Sequence, residues 1–193
     1  MKLNKFTIKK ADLDAMPEAE RTLLVLLAHA ANELNVLAKL FHACAQAPVA
    51  LDVEVKARNA QALIVGRILT AKLYESWELI RKAFYASSIS RSYDPEFDPI
   101  ASDALGKLKA YFGSANLIEA VRNRHAFHYS PSDVQLAYLS FPANEELEMY
   151  IADHNGNTFF HFADVICNHA LLTKIHATDI GAAFDRMIVE TGQ

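Results

Sequence analysis

The chain is poor in cysteine, glycine and proline, with two, six and six among 193 residues. Cys44 and Cys167 lie far apart and form no Cys-x-x-Cys pair, which argues against a disulfide framework or a thiolate zinc site and leaves two buried thiols in a reducing compartment as the expectation. The scattered glycines make no phosphate-cradling loop, and neither a Gly-x-Ser-x-Gly elbow nor a Glu-x-x-His pair occurs. Positive charge is not in excess: the formal net charge is −4, so the molecule as a whole is not an electrostatically driven nucleic-acid binder. Long apolar runs are missing too, since "TLLVLLAHAA" is about half the length that spans a bilayer. The opening "MKLNKFTIKKADLD" is basic without the apolar run of a signal peptide. A soluble, cytoplasmic chain with no membrane partner is the expectation.

What is present is apolar material in helical register. At 52% hydrophobic and 22% charged, the composition fits one folded domain over residues 1–193. Charge is uneven along it: residues 67–130 hold nine Lys/Arg against seven Asp/Glu, and residues 131–193 hold two against nine. After Pro17 a helix is expected from about Glu18 to Ala45, with Leu23, Leu27, Ala30, Leu34, Leu37 and Phe41 on one stripe. Leu24, Val25, Leu26, Val36 and Leu40 widen that stripe, which predicts a central helix. A second pattern from about Leu51 to Tyr85 carries Val65, Leu69, Leu73, Trp77, Ile80 and Phe84, with Gly66 a position for a close helix crossing.

The stretch "SSISRSYDPEFDPIASD" reads as a loop. A third helix should start at Ser102 or Asp103 and end near Phe112–Gly113. A fourth should start around Ser114–Asn116, bury Leu117, Ile118 and Val121, and end near Tyr129, because Pro131 disfavours helical geometry at Ser130. Strong periodicity is then absent up to Asn155-Gly156, which sits between two β-prone runs and signals a hairpin. Helix resumes from about Ala163 to Glu190, with room for a break near His176–Thr178. The expected fold is all-α, a bundle of four to six helices with one small β-hairpin.

The fourth helix ends in "VRNRHAFHYS", which packs two arginines and two of the eight histidines into seven positions. Arg124 and His128 are four apart and share a face, as do Arg122 and His125 at three apart. Arginine is a fixed cation with a forked donor set suited to phosphate oxygens, and histidine moves protons near neutral pH. Together they suffice for metal-free cleavage of a phosphodiester. The bland alternative is capping, because cations at a helix C-terminus face the negative end of its dipole.

"RNRHAFH" resembles the Arg-x4–6-His motif of the HEPN superfamily, small α-helical and often dimeric proteins, many of them metal-independent ribonucleases. Arg122 is followed by the polar Asn123, and five residues separate Arg122 from His128. The resemblance implies His128 as general acid or base, Arg122 on the scissile phosphate, and Asn123 orienting either of them. Arg124 and His125 would bind substrate, and His125 competes with His128 as the motif histidine. "ESWELIRKAF" is similar to the family's acidic position on an earlier helix, with Glu78 ahead of Arg81 and Lys82. RNA as substrate, a homodimer with the site at its interface, no cofactor, and a toxin or defence setting with an antitoxin protein are further implications.

Two other constellations invite a ligand. His29 with Glu33, and His161 with Asp164 and His169, offer pairs of metal ligands, but no helix repeats the pattern, so no metal site is expected. Trp77 with Tyr74 and Tyr85 sits at helical spacing and is read as core rather than as a ligand cage. The rival to a ribonuclease is a catalytically silent HEPN-like dimer whose Arg/His cluster holds a nucleotide or an acidic partner.

Overall fold

The computed structural model describes residues 4–46, 51–126, 130–154 and 157–174, together with 177, 182, 186 and 189. Among the described residues there is no strand, and eight α-helices are bounded: α1 Lys10–Asp14, α2 Glu18–Gln46, α3 Asp52–Leu79, α4 Ile89–Tyr93, α5 Pro99–Phe112, α6 Leu117–Val121, α7 Pro131–Ser140 and α8 His161–Lys174. Two helices widen into π turns at their C-terminal ends, α3 over Ile80–Tyr85 and α6 over Arg122–Ala126. The protein is all-α.

The central helix is α3, not α2. It packs against α2, α6, α8 and both π turns, and it buries Ala62, Leu63, Leu69, Thr70, Ala71 and Trp77 on more than one side. Thr70 can be buried because its hydroxyl donates to the Gly66 carbonyl one turn back, at 2.8 Å. On α2 the narrow stripe holds: Leu23 and Phe41 are buried and Leu34 and Leu37 pack beside Phe41 and Leu69. The residues expected to widen it do not join it. Leu24, Val25, Leu26, Val36 and Leu40 are each 43–56% exposed, because among the described residues α3 alone covers α2 along its length. Over Glu18–Cys44 the helix is long and apolar enough to cross a membrane by length and composition, a property shared with helices that pack inside proteins.

Three further expectations need correction. The Ser/Asp/Pro-rich stretch is not a loop but α4, a 3₁₀ turn at Asp94–Glu96 and the start of α5. Its polar residues serve as helix punctuation: the Asp98 carboxylate accepts from the Ala101 amide at 2.7 Å, with Pro99 in the first turn. The third helix therefore begins at Pro99, ahead of Ser102 and Asp103. Second, Pro131 opens α7 in a stretch that shows no periodicity in sequence. Third, the hairpin reduces to a single antiparallel bridge between Tyr150 and Phe159, with amide–carbonyl bonds of 2.8 and 2.7 Å. The Asn155-Gly156 turn itself lies outside the described residues, as does most of the chain beyond Lys174.

The core that positions the Arg/His cluster joins three helices. Leu63 of α3, Leu117 and Val121 of α6 and Leu171 of α8 are all at most 6% exposed and form one cluster. Asn116 caps α6 by accepting from the Glu119 amide at 2.8 Å, as its place just before the apolar run suggests. The aromatic group is core, as expected: Trp77 stacks on Phe112 at 5.1 Å with the rings nearly parallel, Tyr74 meets Phe112 edge-on, and Tyr85 lies tilted against Trp77. Farther along, Lys56 of α3 pairs with Asp52 and Glu148 and donates to the Tyr150 hydroxyl at 3.2 Å, which raises its pKa and ties the 148–150 segment to α3.

Candidate functional site

Val121 is fully buried, so the residue after it leaves the core at the surface of α3. That residue is Arg122. Its Nε and Nη2 both donate to one oxygen of Glu75, at 3.0 and 2.7 Å, and its Nη1 donates to the Asn123 side-chain carbonyl at 3.0 Å. The guanidinium carbon lies 5.3 Å from the centre of the Tyr74 ring. A side chain with four rotatable bonds is thus held from three directions while staying 35% exposed. Three of its five N–H donors are used in these bonds with described residues.

The π turn sets the direction in which the next residues leave α6. Adding a residue to the turn rotates the chain relative to an α-helix, and such turns recur at functional sites. Asn123 is exposed and His125 half-buried. The His125 carbonyl accepts from Arg67 of α3 at 3.4 Å. The side chain of Arg124, and the whole of His128, lie outside the described residues.

Glu78, Arg81 and Lys82 form their own network on the α3 extension. Arg81 donates to both Glu78 oxygens at 2.6 and 2.8 Å, and Lys82 pairs with Glu78 at 2.8 Å. Hydrogen bonds from Arg81 and then Lys82 hold the Glu78 carboxyl down at about 2. This network does not touch Arg122 directly. Both sets meet at Tyr74, whose hydroxyl is pushed up by burial, Glu119 and Glu78 against the opposing effect of Arg122 and Arg81. Glu75 is the residue that sequence reasoning missed, and Tyr74, read from sequence as core, also carries the Arg122 guanidinium on its ring. The only signal for Glu75 is position: it lies one helical turn before Glu78 on the same helix.

Glu75 also lines a cleft of about 530 Å³ between α2 and α3, with Asn32, Glu33, Val36, Leu37, Ile68 and Lys72. Lys72 pairs with Glu33 at 2.7 Å, and that hydrogen bond is the main reason the Glu33 carboxyl is held low. His29 approaches the same carboxylate at 3.7 Å. Asp164, half-buried on α8, has its carboxyl raised by burial against Arg67 and His161, and burial likewise raises the nearby half-buried Cys167 thiol. Cys44 and Cys167 are both free, and each is half-buried rather than enclosed.

Comparison of the chain with known protein families, with curated proteins and with solved structures found no match. The functional reading therefore rests on the residues themselves.

Proposed function

We propose that the chain is a metal-independent endoribonuclease of HEPN-like type, with Arg122, Asn123 and His128 as its working residues. The observation that supports it most is the grip on Arg122: a partly exposed guanidinium, fixed by Glu75, Asn123 and Tyr74, with two N–H donors left for an anion. In this reading Arg122 holds the scissile phosphate and stabilises charge growing on its oxygens. His128 takes the proton from the ribose 2′-hydroxyl, or supplies one to the leaving 5′-oxygen. The 2′-oxygen attacks phosphorus, the P–O5′ bond breaks, and the products carry a 2′,3′-cyclic phosphate and a 5′-hydroxyl. Arg124 and His125 flank the phosphate path. A homodimer, a cytoplasmic location and a toxin or defence role with an antitoxin protein belong to the same proposal.

One observation favours the silent alternative. Glu75 already neutralises Arg122, so the cluster carries less net attraction for RNA than its sequence suggests. The two readings separate in one assay: labelled RNA incubated in excess EDTA with wild type, Arg122→Ala and His128→Ala. The nuclease reading expects cleavage by wild type alone, with cyclic-phosphate ends. Equal cleavage by all three would place any activity elsewhere, and no cleavage by any would favour the binding module.

A further inference from the structure

We infer that the cleft between α2 and α3 is a nucleobase subsite serving the phosphate grip at Arg122, and that guanine is the base it takes; the inference rests on the proposed site at Arg122. Three observations carry it. At about 530 Å³ the cleft is of the size that holds a small ligand. Its apolar side is Val36, Leu37 and Ile68, which suits the face of a flat ring, and its polar groups are Asn32, Glu33, Lys72 and Glu75. Glu75 belongs to both places, since the carboxylate that lines the cleft is the one that accepts two N–H bonds from Arg122. Glu75 is thus the one side chain common to a phosphate on Arg122 and a base in the cleft.

The polar set reads donors rather than acceptors. The Glu33 and Glu75 carboxylates outnumber the single Lys72 ammonium, and Lys72 and His29 both approach the same Glu33 oxygen, Oε2, at 2.7 and 3.7 Å, so the other Glu33 oxygen takes part in neither pair. Guanine presents two parallel N–H donors on its Watson–Crick edge, which match a carboxylate, whereas uracil presents one. Adenine and cytosine each offer a single amino group there.

The test measures binding of 3′-GMP, 3′-AMP, 3′-CMP, 3′-UMP and ribose 5-phosphate to the full chain by calorimetry, alongside the RNA cleavage assay. Val36→Trp fills the cleft from a position that is 56% exposed and outside the buried core. Glu33→Gln removes the proposed reading group as a second, independent variant. The expected result is 3′-GMP binding about tenfold tighter than ribose 5-phosphate. Both variants should abolish that margin, with ribose phosphate binding unchanged. Equal binding of all five ligands, or a margin that survives both variants, overturns the subsite while leaving the phosphate grip in place. Absence of any binding at millimolar ligand overturns it as well. Guanine-selective binding by a wild type that cuts no RNA supports the subsite and sinks the nuclease reading instead.

Discussion

The carboxylate of Glu75 offers a direct test of the electrostatics at the cluster. Replacing it with glutamine keeps an oxygen for the Arg122 guanidinium and removes one negative charge. Side-chain exposures of 35% for Arg122 and 47% for Glu75 place the pair at the surface. Pairs of that kind contribute about 0.2–1 kcal/mol, so thermal stability should fall by no more than about 4 °C for a chain of this size. The effect on an anion has the opposite sign. A phosphate seated on the two remaining N–H donors would lie about 4 Å from the carboxylate, where like charges repel by about 1 kcal/mol in water. Glu75→Gln should therefore tighten binding of a 2′-O-methylated RNA, which cannot be cleaved, by about fivefold. That gain should vanish in 1 M salt, where the screening length is about 3 Å. Fluorescence anisotropy at two salt concentrations measures both. Weaker binding by the variant would refute the reasoning, because it would mean that Glu75 matters for aiming Arg122 more than for opposing the ligand.

Two further outcomes are expected. Leu63→Ala removes a side chain that is 1% exposed at the junction of α3, α6 and α8, and should cost about 2–5 kcal/mol in urea unfolding; a loss below about 1 kcal/mol would show that this junction is not tightly packed. Asp164→Asn should stabilise the protein at pH 7. The Asp164 carboxyl is raised in the folded state by burial, so its favourable contribution is complete below the unfolded value of about 3.9 and is lost as pH rises through the folded one. The margin over wild type should thus shrink toward pH 4, and a variant less stable at pH 7 would show that Arg67 and His161 outweigh the burial.

The all-α architecture was legible because helix signals are local. Pro17, Asn116 and the steps of Leu23, Leu27, Leu34 and Phe41 each act within a turn or two of themselves. What failed was non-local. Leu24, Val25 and Val36 carry no mark in sequence that says whether a second helix covers them, and none of the described ones does. The stretch around Asp98 looks like a loop in sequence because Ser, Asp and Pro serve both loops and helix starts. In the site, the prominence of Arg122 and Asn123 could be read from the motif, whereas the Glu75 partner sits 47 residues away and only the packing of α6 on α3 brings it near.

The tie made by Lys56 has a consequence for the order of assembly. α2 and α3 are separated by five residues of sequence, so their pairing is a local event. Lys56 meets Glu148 across 92 residues and Tyr150 across 94. Closing a loop of that length costs about 4 kcal/mol in chain entropy before any contact is gained. The pair itself is partly solvent-exposed, with side chains 23% and 48% accessible, and returns less than that cost. It cannot nucleate the C-terminal half; it can only fasten a half already docked through Leu171. The segment around 148–150 therefore settles onto α3 after the Leu171 contact forms rather than before it.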